Sequence, residues 1–524
     1  MILRSLLLAA LVASPAYAQQ PRYDVLITNG TVIDGTGAAR YRADVAISAG
    51  RVVVVSRTPL ARTNATRVID ATNRIVAPGF IDLHAHLEPL PQLPGAKSAV
   101  TQGVTLALGG PDGSSPSPLA SYMNAREKQG IGINVAYLVG HNTVRRAVMG
   151  EADRAPTSDE LARMRAMIAQ GMHDGAFGMS TGLKYIPGAY SNVDEVVSLA
   201  QVAADSGGIY TSHLREEGLG LLDGVAEAIE IGRRAHIPIV LTHHKAVGQA
   251  MWGKSVVTLH MLDSARAAGV DVMADVYPYT ATHTGISVLI PSWALADGDS
   301  AFARRLADPV LADSIRRGII FNILNDRGGG DISRVQFAKV TWDRSLEGKT
   351  LADWATRRGL APTPENGATL VIEAERKGGA NAIYHVLDEG DVKRIMSHPM
   401  VMIGSDGRLS TPGEGHPHPR GYGTFPRVLG HYVRDEHVLT LEQGVHKMTG
   451  MPAARLGLKD RGVLRAGAIA DVVVFDAGRI ADMATFENPH QYAVGIDYVL
   501  VNGTAAVDGG RYMDVRPGRV LRRR

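Results

Sequence analysis

The sequence predicts an α/β protein: a (β/α)8 TIM barrel with a small β-sandwich domain assembled from both ends of the chain. Three observations carry that expectation. From about residue 77 to 458, short apolar runs alternate with longer segments whose apolar residues recur every three or four positions, the pattern of parallel strands joined by helices. At either end, over 19–76 and 459–524, β-rich runs follow one another with only turns between them, and a domain shared by the two ends would bring the termini together. The size and composition agree, since 524 residues with 45% hydrophobic and 20% charged content suffice for one large α/β domain and an accessory one.

Residues 1–18 read as a signal peptide. Arg4 supplies the positive start, Ser5 to Ala13 the apolar run, and Ala16-Tyr17-Ala18 the cleavage pattern. The mature chain would then begin near Gln19 and work in the periplasm or outside the cell. The absence of cysteine fits an oxidising compartment and excludes disulfides and thiolate ligands, so any metal must be held by nitrogen and oxygen. A net charge of +3 with scattered basic residues gives no nucleic-acid surface, and Arg522-Arg523-Arg524 reads as a frayed terminus. No stretch is long and apolar enough for a membrane span. A small molecule is the expected partner, and homo-oligomerisation stays open.

Within the N-terminal β part, Tyr23 to Ile27, Thr31 to Ile33, Asp44 to Ile47 and Arg51 to Val55 are strand candidates, with turns at Asn29-Gly30, Asp34-Gly35 and Gly50. The pattern returns in Gly462 to Leu464, Ala470 to Phe475, Tyr498 to Val501 and Thr504 to Val507. Between them, eight barrel strands are expected at Phe80 to Leu83, Val104 to Leu108, Asn134 to Val139, Ala176 to Met179, Ile209 to Thr211, Ile237 to Thr242, Val270 to Ala274 and Val401 to Ile403. Helical periodicity marks Ser158 to His173, Val193 to Ser206, Leu221 to Ala235 and Ser255 to Ala268. An insertion over about 282–396, with Trp293, Trp342 and a Gly328-Gly329-Gly330 run, separates the seventh and eighth strands and reads as a lid over the barrel mouth.

Chemistry in such a barrel sits at the carboxyl ends of the strands. The first strand ends in Gly79-Phe80-Ile81-Asp82-Leu83-His84-Ala85-His86, and alternation along a strand points His84 and His86 the same way. An HxH pair alone is as often incidental as a metal site. Other strand ends add Lys184, His213, His243 and Asp406. Neutral imidazole and carboxylate are the donors zinc takes where thiolate is absent.

Together these segments resemble the amidohydrolase superfamily and, within it, the D-aminoacylase or N-acyl-D-amino-acid deacylase group. The resemblance runs through Ala77 to His86, Gly178-Met179-Ser180-Thr181-Gly182-Leu183, Thr211 to Glu217, Thr242-His243-His244-Lys245, Tyr277-Pro278-Tyr279, Ser405-Asp406-Gly407 and His418-Pro419-Arg420. It implies a barrel with a split β domain, one or two Zn2+ ions and hydrolysis of an amide bond. By position, His84 and His86 would bind one metal, His213 and His243 a second, and Asp406 would be both ligand and general base. Metal-activated water would give its proton to Asp406 and attack the scissile carbonyl, after which Asp406 would protonate the leaving amine. Lys245, Tyr277 and Arg420 would clamp a substrate carboxylate, and Tyr185 would touch the scissile carbonyl. His141 would shape the pocket, with His244, His283, His416 and His418 in supporting or loop positions.

The chain departs from the group at the end of the second strand. Where D-aminoacylases carry a ligand cysteine in a Gly-x-Cys-Gly setting, it has Gly110-Pro111-Asp112-Gly113. Other amidohydrolases bridge two metals with a carboxylated lysine at the end of the fourth strand, which makes Lys184 the expected bridge. The alternative is a salt-bridged Lys184, with Asp112 in place of the thiolate or a single metal. The expected substrates are N-acyl-D-amino acids or dipeptides with a free carboxylate. Hydrolysis of cyclic or other bulky amides is the second reading, and a non-catalytic scaffold the third.

Overall fold

The computed structural model describes residues 23–327 and 329–523. The signal peptide expected at 1–18 lies outside the described residues. Eight strands run parallel in chain order. Phe80–Asp82, Val104–Gly109 and Asn134–Tyr137 pair in sequence. The third strand resumes as Val139–Gly140, and pairing continues through Gly178–Gly182, Ile209–His213, Ile239–Leu241, Val272–Val276 and Val401–Ile403. The last strand meets the first where Gly407–Arg408 pairs parallel with Ala85–His86. Strands covered on both faces need continuous apolar runs, and Val104–Gly109 is buried throughout.

The helices between them start where the sequence supplies caps. Thr157 and Glu160 form a capping box at Ser158–His173, and the Asn192 side chain accepts from the Glu195 N–H at Val193–Asp205. Val193–Asp205 then lays Val196, Leu199, Ala200 and Ala203 onto the core, as its three- and four-residue spacing requires.

Strands from both ends of the chain form one nine-stranded sheet. Its seam is Ile75–Pro78, parallel to Tyr23–Val32 on one side and antiparallel to Val472–Phe475 on the other. The turn expected at Asn29-Gly30 is instead a bulge inside the continuous strand Tyr23–Val32. Asn29 takes φ 62°, and its N–H donates to Asp44 Oδ1 at 3.0 Å, so the extra residue is absorbed without ending the strand. The expected frayed terminus is also corrected. The Arg519 carbonyl accepts from Val135 N–H at 3.0 Å, Leu521 N–H donates to the Val135 carbonyl at 2.7 Å, and Arg522 pairs with Glu127 at 2.9 Å. The tail thereby pairs along the start of the third barrel strand.

The insertion builds its own antiparallel sheet from Thr282–Gly285, Asn381–Tyr384 and Val335–Lys339. Pro309–Asn325, Leu351–Arg357 and Pro364–Arg376 cover it around Ile315, Ile319, Phe337, Trp354 and Leu370. It ends earlier than expected. Helix Glu389–Ser397 packs Val392, Ile395 and Met396 into the barrel core, so it is the return helix to the eighth strand. Among the described residues no helix is long and apolar enough to cross a membrane.

A buried polar knot joins the sheet to the barrel. Asp471 is ion-paired with Arg461, accepts from the Asn134 amide at 3.1 Å, and accepts from Asn502 N–H at 2.7 Å. Asp471→Ala strands the Arg461 charge, and we expect a loss of about 3–5 kcal/mol in urea unfolding. A change below 1 kcal/mol, taken as roughly the net worth of one hydrogen bond, would show that the knot contributes little.

Candidate metal centre and active-site cavity

Two groups of ligand atoms meet at the carboxyl ends of the strands. The first consists of His84, His86, Asp112 and Asp406, the second of Asp112, His213 and His243, and within each group the ligand atoms lie within 4.8 Å of one another. In the first, Asp112 Oδ2 is 3.3 Å from His84 Nε2 and 3.4 Å from His86 Nε2, while Asp406 Oδ1 is 3.1 Å from His86 Nε2. In the second, Asp112 Oδ1 is 3.5 Å from His243 Nε2 and 3.8 Å from His213 Nδ1, and those two ring nitrogens are 2.7 Å apart. One carboxylate therefore offers a different oxygen to each group.

The donor set fits divalent metal. Asp112 Oδ1 is buried with no hydrogen-bond partner, and every donor is an imidazole nitrogen or a carboxylate oxygen. Burial drives His213 down to about 3, whereas the carboxylates Glu217 and Asp112 outweigh burial at His243 and raise it to about 9. For Asp112 burial pushes upward, but His84 and then His243 outweigh it and hold the carboxyl well below the usual range.

Backbone strain marks the same residues. Asp112 has φ 52°, His243 φ 37° and Asp406 φ 48°, in the left-handed region that costs non-glycine residues of order 1–3 kcal/mol. Surrounding bonds hold them there. His243 N–H donates to Asp275 Oδ1 at 2.7 Å, and Asp406 N–H donates to the His84 carbonyl at 2.8 Å. Beside Asp112, Gly113 has φ 74° and donates to Ser180 Oγ at 3.1 Å; a Cβ on it would fall 2.0 Å from Asn142 Oδ1.

The structure brings His84, His86, His213, His243 and Asp406 together as expected and pairs Lys184 with carboxylates. Lys184 Nζ donates to the two oxygens of Glu216 at 2.9 and 2.8 Å and lies 3.6 Å from Asp326. Those carboxylates pair with it, and the residue common to both groups is Asp112. That pairing is the one the salt-bridged alternative describes.

A cavity of about 510 Å³ opens over the centre. Asp112, Asp406, His86, Tyr185, His283 and Arg420 stand on its wall. Arg420 pairs with Asp406 Oδ2 at 2.8 Å and lies over the Tyr277 ring at 4.8 Å. Burial would raise Asp406, but Arg420 and then His84 hold it well below the usual carboxylate range. Lys245 and Tyr277 lie behind the wall. Lys245 Nζ is committed to Glu217 Oε1 at 2.5 Å and to His243 Nδ1 at 2.6 Å.

Glu217 is a functional residue that the sequence reading passed over. Its carboxylate meets His243 Nδ1 at 3.2 Å, His213 Nε2 at 3.6 Å and Arg327 at 2.9 Å, so it backs both imidazoles of the second group. Its place four residues after His213 was the available signal. Asp275, directly after Ala274 at the end of the seventh strand, was open to the same strand-end rule. His141 is buried against Glu195 at 2.8 Å, in a structural triad with Arg145.

A profile of the Amidohydrolase family matches residues 67–307 and 347–507. The chain belongs to this family. It is 40% identical over 530 residues to an N-acyl-D-glutamate deacylase of Alcaligenes xylosoxydans xylosoxydans, covering 96% of this chain and 97% of that one. It is 35% identical to a D-aminoacylase of the same organism, covering 96% and 98%. Among solved amidohydrolases, the N-acyl-D-glutamate deacylase from Bordetella bronchiseptica, complexed with zinc and a phosphonate mimic of the tetrahedral intermediate, superposes with a TM-score of 0.82 at 37% identity, covering 96% and 100%. A D-aminoacylase structure concerned with its binuclear metal centre superposes with a TM-score of 0.81 at 35% identity, again covering 96% and 100%. The α/β fold is that of these D-aminoacylase structures, a barrel with an attached β domain.

If Asp112 serves both groups, Asp112→Ala should weaken divalent-metal binding by more than the roughly tenfold that loss of an outer partner costs. Lys184→Met should leave metal content unchanged. Elemental analysis after dialysis against a graded chelator reads both, and loss of metal from the lysine variant would restore the carbamate bridge.

Proposed function

We propose that this amidohydrolase is a zinc-dependent deacylase of N-acyl-D-amino acids or dipeptides with a free carboxylate. The observation that carries the reading is a shared wall: Asp112 and Asp406 face the same cavity as the Arg420 guanidinium. Amide chemistry and carboxylate recognition thus sit within one small volume. The relatives named as deacylases and the zinc-complexed neighbour support the same assignment.

His84, His86, Asp112 and Asp406 would hold one ion, and Asp112, His213 and His243 another. Zinc held there supplies Lewis acidity for activating water and polarising a carbonyl near neutral pH. The protein's own groups do the rest. Asp406 stays ionised, so it can take the proton of the attacking water and return it to the leaving amine. Arg420 keeps donors beyond its bond to Asp406, and its planar fork suits the substrate carboxylate. The Tyr185 hydroxyl, on the cavity wall, can donate to the carbonyl oxygen as negative charge develops.

The insertion acts as a roof. His283, Thr284, Gly285, Ala338, Lys339 and Asn381 come from its three strands and line the cavity, which supports the lid reading. The sandwich description of the β domain and export to the periplasm rest on the sequence pattern. The size of the cavity keeps cyclic or bulky amides as the second reading.

Assays on paired N-acetyl-D- and N-acetyl-L-amino acids and on a cyclic imide separate these readings, and selective turnover of the D-series is expected. Asp406→Asn should lower turnover at least about a hundredfold, the lower range for losing a general acid–base. Near-normal turnover in that variant would remove Asp406 from the chemistry.

A further inference from the structure

One short strand of the insertion touches three parts of the centre. Thr282 accepts from Arg327 Nη1 at 3.3 Å, and Arg327 in turn grips Glu217 behind His213 and His243. The His283 carbonyl accepts from Arg420 Nη2 at 3.4 Å. Thr284 Oγ1 donates to the Tyr185 hydroxyl oxygen at 3.1 Å. Thr282 and Thr284 are two residues apart on Thr282–Gly285, so alternation turns both the same way.

The geometry points to Thr284 as a positioning residue: by donating to the Tyr185 oxygen, it leaves the phenolic proton free and aims it into the cavity at the carbonyl oxygen of the substrate. The inference rests on the deacylase reading and deepens it. Tyr185 is otherwise fixed everywhere except at its hydroxyl. Asn142 Nδ2 donates to the Tyr185 carbonyl at 3.2 Å, and Tyr185 N–H donates to the Gly182 carbonyl at 3.0 Å. The ring lies 4.5 Å from the His213 ring, beside the second group of ligands. These contacts set the ring and leave rotation of the O–H bond open. A donor at 3.1 Å closes that freedom, because an oxygen that accepts from Thr284 turns its own hydrogen elsewhere. Thr284 is itself held in register opposite Ala382 in the insertion sheet, so the aim of a barrel side chain is set from outside the barrel.

A donor to an oxyanion acts in the transition state more than in the ground state. Thr284→Val, nearly the same shape without the hydroxyl, is therefore expected to lower kcat about tenfold, a fraction of the 10²–10³ that loss of a whole oxyanion donor costs. KM should stay nearly constant. Thr284→Ser should recover most of the rate. In a Tyr185→Phe background the valine change should add no further loss, since the group it aims is gone. Binding of a phosphonate analogue of an N-acyl-D-amino acid should weaken with the rate in Thr284→Val, and binding of the product D-amino acid should not.

Wild-type kcat in Thr284→Val, or an equal loss in both backgrounds, would overturn the inference and leave the deacylase reading standing. No turnover of any N-acyl-D-amino acid by the unaltered protein would remove both together.

Discussion

The centre depends on a hydrogen-bonded clasp between the first and last barrel strands. Asp82 Oδ1 accepts from Ser405 N–H at 2.9 Å and from His84 N–H at 3.1 Å, and the Ser405 hydroxyl donates to the other carboxylate oxygen. Burial raises the Asp82 carboxyl, and the bonds from Ser405 and His84 pull it back only part-way, to about 6. The clasp lies at the foot of Ala85–His86 and Gly407–Arg408, and it fixes their register. A slip of one residue would turn His86 or Asp406 to the wrong face. With the register held, His86 Nε2 and Asp406 Oδ1, 320 positions apart in sequence, come within 3.1 Å.

Once closed, the ring gathers more charge than a protein interior accepts without pairing. Asp406 is matched by Arg420, and Glu217 by Lys245 and Arg327. Asp112 meets only imidazoles, with one oxygen left unsatisfied. A thiolate would supply one donor atom in this place. A carboxylate has two, and their separation lets one side chain reach both groups.

Much of this was legible in the sequence because its physics is local. Strands buried on both faces must be apolar throughout, and the intervening helices must be amphipathic, so eight strands and four helices could be placed to within a few residues. The strand-end rule then found the four histidines and Asp406 that meet there. What escaped depends on distant partners. Lys184 reads as a metal bridge with a salt bridge as its alternative, and nothing in the residues around Arg327 shows that it reaches Glu217. Helix Glu389–Ser397 looked like part of the insertion because helical periodicity does not say which core a face will join. The C-terminal run read as loose since the Val135 edge that receives the backbone of Arg519 and Leu521 is more than 380 residues away.

The two cores also explain how the site divides its labour. The barrel core ends beneath the ligands, and the insertion has an apolar core of its own around Phe337 and Trp354. A cover with an independent core could change shape without disturbing the strands below it. Here that independence is limited, because Arg327 and Thr284 reach down from the insertion to Glu217 and Tyr185. Glu217 backs the imidazoles of the second group and Tyr185 faces the cavity. The insertion is therefore tied to the residues around both groups and does not pack as a separate body.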